Sequence, residues 1–340
     1  MRAVVINRHG GPDVLEEATV EDPSPRPGEA VVRVRACALN HLDVWTRRGL
    51  PGRSVPFPHI LGCDIAGEIL TSPIPELPVG MRVMVSPGVS CGRCLQCLSG
   101  ADNACRNYRV LGAQIPGGYA EKVACPAQNV IPIPESLPYA QAAAFPLVFL
   151  TAWHMLVGKA RLFAGEDVLV WGASSGVGSA AVQIAKYLGA RVIATAGNPE
   201  KRAAAELLGA DHVLDHGRDD IVAEVKRLTG KKGVEVVFEH VGKSTWERSI
   251  LCLAHKGRLV TCGATTGPEA TTDLRFLFSK QLTLMGTYMG SKGELLEVAA
   301  LLFEGKLHSV VDSVLPLALA RKAHERLEKS DHFGKIVLDV

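Results

Sequence analysis

Apolar and polar positions along the chain change period near residue 167, and that change divides the sequence. Before it, short alternating apolar runs at 3–6, 15–20 and 30–35 are separated by the breakers Gly10-Gly11-Pro12 and Pro23-Ser24-Pro25-Arg26-Pro27-Gly28, the pattern of antiparallel strands. A helical turn is predicted over 38–45, with Asn40 as its cap and Arg47-Arg48-Gly49 at its end. Further strands are predicted within 56–68, at 80–85, at 117–123 and at 130–133. Residues 139–157 read as helix and linker.

From residue 168 the rhythm is strand, helix, strand. Residues 168–171 form an apolar run, Val177, Ala181, Ile184 and Leu188 recur at helical spacing, and a second apolar run follows at 192–194. Strands at 212–214, 234–238, 258–262 and 282–286 alternate with helices at 200–208, 220–228 and 244–253. Six strands with helices between them predict an α/β domain, a Rossmann-type doubly wound parallel sheet. The last fifty residues return to mixed pieces, with helices at 295–304 and 319–329 and strands at 310–315 and 335–339. They are expected to rejoin the mostly β first domain, giving domains of 1–147 with 288–340 and of 148–287.

The segment Gly172-Ala173-Ser174-Ser175-Gly176-Val177-Gly178 lies between the first strand of this sheet and its helix. By spacing alone it is a tight strand-to-helix turn. Inside a βαβ unit, its missing side chains let the backbone approach a pyrophosphate at the helix N-terminus, so it is read as the dinucleotide-binding turn.

Composition narrows the remaining classes. With 37 basic and 35 acidic residues, nothing in the charge favours nucleic acid or an anionic membrane surface. The first nine residues return to charge too soon for a secretory h-region, so a cytoplasmic protein is expected. Residues 136–158 contain no charged side chain, but Pro138, Gln141, Pro146, Thr151 and His154 interrupt them, which suits a buried segment better than a membrane span.

Four of the nine cysteines, Cys91, Cys94, Cys97 and Cys105, follow a C-x2-C-x2-C-x7-C spacing among glycines. Disulfides are disfavoured in a reducing compartment, and four thiolates this close suit a tetrahedral ion. Structural zinc, one per chain, is the reading, with an iron–sulfur cluster as the alternative sharing the same ligands. A closed four-cysteine site leaves no position for substrate.

A β domain with a four-cysteine lobe, followed by a Rossmann domain opening on Gly172-Ala-Ser-Ser-Gly176-Val-Gly178, resembles the medium-chain dehydrogenase/reductase superfamily over essentially the whole chain. The resemblance includes Gly-Gly-Tyr-Ala-Glu at 117–121 and Phe-Gly-Lys-Ile-Val-Leu at 333–338, and within the superfamily Ala-Leu-Asn-His-Leu-Asp at 38–43 is similar to the branch of quinone oxidoreductases and zinc-type alcohol dehydrogenases. The resemblance implies a GroES-like catalytic domain. It also departs from the family at one place. Zinc alcohol dehydrogenases hold a catalytic ion through three ligands whose matching positions here are Asn40, Cys63 and about Leu147. Only Cys63 offers a thiolate; an unusual site would have to recruit Asp64, His41, Asp43 or His59.

The end of the second strand bears on the cofactor. NAD-specific folds place an acid there, whereas this chain has Ala194-Thr195-Ala196-Gly197-Asn198-Pro199-Glu200-Lys201. By resemblance Lys201 matches a lysine used for a 2′-phosphate and His216 a phosphate-side aromatic, so NADPH is favoured over NADH. The implied activity is hydride transfer from NADPH to a quinone or α,β-unsaturated carbonyl without catalytic zinc. Asn40 would hold the substrate oxygen, unless it serves only as a helix cap. Asp43, Cys63 and Asp64 would line the same cleft, Thr151 would lie near the nicotinamide, and solvent would supply the proton. The alternatives are a zinc-dependent alcohol dehydrogenase with substituted ligands and an NADPH-binding protein without turnover. The expected partners are a small-molecule substrate and further copies of the chain in a homodimer or homotetramer, formed through the last Rossmann strand.

Overall fold

The computed structural model describes residues 1–49 and 55–340. The chain forms two compact units, Met1–Leu147 with Ser291–Val340, and Val148–Gly290.

The first unit is built around one long strand. Glu29–Ala38 pairs antiparallel with Asp64–Thr71, with Lys122–Pro126 and, at its C-terminal end, with Lys335–Asp339. Val32, Val34 and Cys37 pack with Ile65, Ile69, Ile336 and Leu338 in the core between these strands and their neighbours. The final residues thus complete the sheet begun by the first forty. Register then decides what lies at the strand ends. Ala38 stands opposite both Asp64 and Val337, so the residue after Leu39, the residue before Asp64 and Lys335 are carried to one place. The chain leaves the central strand into the helix His41–Arg48, with Asn40 at its N-cap position and Gly49 closing it at φ +87°.

The second unit is a six-stranded parallel sheet in the order His212–Asp215, Arg191–Ala196, Asp167–Val170, Val234–Glu239, Leu253–Thr261 and Thr283–Gly286. This is the doubly wound order, which reverses direction beside Asp167–Val170 and puts the ligand crevice at the carboxyl ends there. Its strands are nearly continuous apolar runs because both faces are covered: in Arg191–Ala196 every residue after Arg191 is buried.

Two elements differ from the sequence pattern. The fifth strand begins at Leu253, and its pairing slips between Val234/Leu253 and Val236/Arg258, so a bulge absorbs the stretch that hydropathy assigns to a loop. A short helix at Leu274–Ser279, held by the Asp273 carboxylate accepting from the Arg275 N–H, escapes periodicity because it buries none of its residues. The uncharged stretch at 136–158 divides into Tyr139–Ala143, Pro146–Trp153 and the π-helical His154–Lys159. Among the described residues no helix is long and apolar enough to cross a membrane.

Candidate active site and cofactor cradle

The strand ends of the first unit gather Asn40, Cys63, Asp64 and Lys335. Asp64 and Cys63 are fully buried, Lys335 retains 3% of its surface and Asn40 6%. The Lys335 ammonium donates to Asn40 Oδ1 at 2.5 Å and to Asp64 Oδ2 at 3.0 Å. Asn40 Nδ2 donates to Asp64 Oδ2 at 2.9 Å and lies 3.3 Å from Cys63 Sγ. Asp64 Oδ1 accepts the Leu147 backbone N–H at 2.9 Å. The buried carboxylate therefore faces an ammonium, an amide and a peptide N–H, which offsets the cost of its desolvation.

Asn40, Cys63 and Leu147, the three positions singled out in the sequence, are thus tied together around Asp64. Lys335, absent from the sequence reading of the site, supplies the positive charge. Burial, with Asp64 and Asp43 nearby, pushes the Cys63 thiol well up, so it stays neutral. His59 is turned elsewhere, its Nε2 on the Gly112 carbonyl at 3.1 Å. Among the described residues, the one group of three or more His, Cys, Asp or Glu ligand atoms that converges is the cysteine lobe.

Asp43 stands behind this cluster and fixes both of its walls. Its Oδ2 accepts the Asn40 backbone N–H at 2.7 Å, and its Oδ1 accepts the Gly62 N–H at 3.1 Å. Tyr119 Oη reaches Oδ2 at 3.5 Å, His324 Nε2 lies 3.1 Å from Tyr119 Oη, and the Arg47 guanidinium lies 3.0 Å from His324 Nδ1. Arginine only donates, so Nδ1 is the acceptor and Nε2 carries the hydrogen toward Tyr119. Burial pushes Asp43 up to about 7, against the Asn40 N–H, Lys335 and the Gly62 N–H. Burial and then Arg47 push His324 down to about 3.

These two shifts have opposite consequences for stability. A carboxyl whose folded value is raised makes stability fall as pH rises. An imidazole whose folded value is depressed makes stability fall as pH drops below its unfolded value. Replacing His324 with glutamine removes the second effect alone. The stability gap between the native protein and His324→Gln is expected to shift in the native protein's favour by about 1.4 kcal/mol per pH unit from about pH 4.5 to 6. Denaturant midpoints measure it, and a gap independent of pH would refute a neutral His324.

In the second unit, Gly172 turns at φ +58°, Ser175 caps the helix Gly176–Tyr187 by accepting the Gly178 N–H at 2.9 Å, and Thr195 Oγ1 accepts the Gly172 N–H at 3.0 Å. A Cβ on Gly178 would lie 2.2 Å from the Gly172 carbonyl oxygen, so turn and helix interlock through bare backbone. The helix N-terminus is left as a cradle that fits an anionic diphosphate.

At the next strand end, Ala196 is buried and Asn198 caps the following helix through the Lys201 N–H. Asp215, the register partner of Ala196 on the neighbouring strand, is paired with Arg202 at 2.5 Å. Burial lowers the His216 imidazole, and Arg248 and Lys201 act on it in the same direction. Arg248, missed in the sequence because it reads as an ordinary helix-surface residue, thus acts electrostatically on His216 as Lys201 does, with its guanidinium over the Trp171 ring. Thr151 is buried on Pro146–Trp153, in the second unit, and is not among the residues gathered around Asp64.

The four lobe cysteines offer Sγ atoms all within 4.8 Å of one another, with Cys91–Cys97 at 3.9 Å and Cys94–Cys97 at 3.5 Å. A tetrahedral zinc thiolate has edges of about 3.8 Å, so the donor set fits that ion. The backbone N–H groups of Arg93 and Cys94 help push Cys91 down to about 6. Although the Cys97 N–H opposes it, the Cys97 sulfur and then loss of water push Cys94 up to about 11. Adjacent thiols compete to ionise, and a divalent cation relieves the competition.

Two family models match the chain in succession. Residues 26–135 match the alcohol dehydrogenase GroES-like domain, and residues 176–304 match the zinc-binding dehydrogenase family. The quinone oxidoreductase of Homo sapiens is 30% identical over 348 residues, covering 99% of this chain and 97% of its own. The crystal structure of an NAD-dependent alcohol dehydrogenase superposes with a TM-score of 0.97 at 46% identity, covering 100% of both chains. A cobalt- and zinc-bound thermostable alcohol dehydrogenase from Pyrobaculum aerophilum superposes with a TM-score of 0.91 at 34% identity, covering 100% of this chain and 99% of that one.

Proposed function

The chain belongs to the medium-chain dehydrogenase/reductase superfamily of oxidoreductases, and from that premise we propose that it reduces quinones or α,β-unsaturated carbonyls with NADPH, without a catalytic zinc. One observation carries the reading: a buried ammonium, Lys335, sits against Asn40 and Asp64, where a metal would need anionic donors. Cys63 stays a neutral thiol there, and Leu147 contributes only a peptide N–H. When bound, the nicotinamide supplies a hydride, two electrons with one hydrogen, to the electrophilic carbon. The charge that arrives on an enone or quinone oxygen is spread by conjugation, so hydrogen-bond donors suffice where a simple carbonyl needs a Lewis acid. Asn40 is the residue that holds this oxygen, Asp43 fixes the Asn40 backbone, and Cys63 and Asp64 line the same pocket wall. Water supplies the proton that completes the reduction.

Residues 172–178 would hold the cofactor's diphosphate, Thr151 would serve the nicotinamide, and Lys201, His216 and Arg248, with Ala196, would hold a 2′-phosphate. Lys201→Ala is expected to raise KM for NADPH about tenfold and leave that for NADH unchanged, the loss of about one charge-assisted contact. Equal effects on both cofactors would exclude a phosphate-binding role. The lobe of Cys91, Cys94, Cys97 and Cys105 holds one structural zinc. The edge strand Thr283–Gly286 supports assembly as a homodimer or homotetramer.

The names of the two structural neighbours favour a second reading, an NAD-dependent alcohol dehydrogenase with a rebuilt catalytic zinc site. Oxidation of NADPH and NADH with a quinone, an enone and an aliphatic aldehyde, together with metal analysis, separates the two. Quinone or enone turnover that survives mild chelation supports the proposal. Chelator-sensitive alcohol turnover with two zinc ions per chain would replace it with the second reading.

A further inference from the structure

Lys335 does more than neutralise Asp64. Its ammonium only donates, so Asn40 must present Oδ1 to it, and Asp64 only accepts, so Asn40 must present Nδ2 there. These two partners on opposite ends of one amide fix its flip. They leave Nδ2 with a second hydrogen, whose neighbours are Cys63 Sγ at 3.3 Å and the Ala38 carbonyl at 3.5 Å. Sulfur is a weak acceptor and 3.5 Å is the limit of a useful bond, so this N–H is poorly satisfied although its residue is almost buried. A carbonyl oxygen is a better acceptor than either. Cys63 stays protonated and does not repel an arriving anion.

We propose that Lys335 is the positioning residue that makes Asn40 a preorganised donor to the substrate oxygen, holding the amide in one orientation and polarising its N–H through Oδ1. An ammonium on the carbonyl end of an amide draws electron density toward oxygen and strengthens the hydrogen bond given by the nitrogen. That bond grows as negative charge develops on the substrate oxygen, so Lys335 acts more on kcat than on KM. The inference rests on the reading of the site as one that receives an enolate or hydroquinone oxygen.

Two measurements on the zinc-loaded, full-length protein test it. The first is steady-state reduction of an enone by Lys335→Met and Lys335→Arg. Lys335→Met is expected to lower kcat at least tenfold with KM for the enone changed less than threefold, and Lys335→Arg to recover part of the loss. The second needs no turnover: the absorbance of 4-nitrophenol bound beside the oxidised cofactor reports whether the site favours the phenolate. The native protein is expected to lower the bound phenol's pKa relative to water, and Lys335→Met to raise it by about one unit, the same tenfold factor. Because Lys335→Met leaves Asp64 buried without its ammonium, Lys335→Met/Asp64→Asn is measured beside it as the charge-balanced variant, with the same expected shift. A native protein that does not favour the phenolate, or variants that keep both the native kcat and the native phenol ionisation, would overturn the proposal. Absence of enone and quinone turnover in the native protein instead overturns the proposed function, and the phenol measurement then still decides whether Lys335 polarises Asn40.

Discussion

A Cys94→Ser variant will carry well under one zinc ion per chain and will melt at a lower temperature than the native protein, with the loss beginning in the lobe. The reason is the near absence of any other cohesion there. The four-residue helix Leu95–Leu98 buries nothing, and Leu95 and Leu98 are 79% and 75% exposed. The turn Asp102–Ala104 buries none of its residues either, so these two elements bring no apolar core with which to offset the entropy of ordering. Structural zinc in small domains contributes on the order of 10 kcal/mol, and serine is a poor substitute for thiolate at such a site. The lobe is tied to the rest of its unit by the Lys292 N–H on Asp102, by Lys292 Nζ on Asn129 Oδ1, and by Asn129 Nδ2 on the Ser86 and Gly88 carbonyls. Loosening the lobe should therefore reach the strand Arg82–Val85, next to Asp64–Thr71 in the sheet. Metal analysis and thermal unfolding check this together. A variant that keeps one zinc per chain, or that loses it without any change in melting, would remove the structural role from the ion.

Sequence pattern carried much of the architecture because each unit announces itself by period. The parallel strands are buried on both faces and stand out as apolar runs, and the glycine turn is written in consecutive residues. The cysteine lobe is equally local, since its ligands span fifteen positions of the chain. What the sequence could not display is the cluster around Asp64, which depends on register between strands that are hundreds of residues apart. Lys335 opens an apolar strand and reads as a solvated flank. Only the pairing of Val337 with Ala38 brings it against Asn40 and buries it. His324 and Arg47 are similar: each looks like a polar helix position, and each is buried where the helices His41–Arg48 and Ala320–Glu328 meet. Asn40 sits at the N-cap position, where the Asp43 carboxylate accepts its N–H in a capping box, and its amide also reaches Lys335 and Asp64, partners that no local pattern displays.

Gly178→Val will cost the protein its dinucleotide. The turn and the helix that follow Asp167–Val170 meet at Gly178 through the Gly172 backbone and the Ser175 hydroxyl. A Cβ at 178 would lie 2.2 Å from the Gly172 oxygen and 2.9 Å from Ser175 Oγ, the atom that accepts the Gly178 N–H. Neither neighbour is the loose end of a long side chain. The carbonyl belongs to a residue already at φ +58°, and Ser175 is the helix cap. Relief of the contact therefore requires the helix N-terminus to move away from the turn, and with it the N–H groups that would meet the diphosphate. A weakening of at least 100-fold, about 3 kcal/mol, is expected for NADPH and NADH alike, because the diphosphate is common to both. Fluorescence titration with each reduced cofactor measures it. The comparison with Lys201→Ala is then informative, since a cradle residue acts on both cofactors and a phosphate-selective residue on one. If Gly178→Val lowers the melting temperature but leaves both affinities intact, residues 172–178 are only a tight strand-to-helix turn. The cofactor would then have to be sought elsewhere in the sheet.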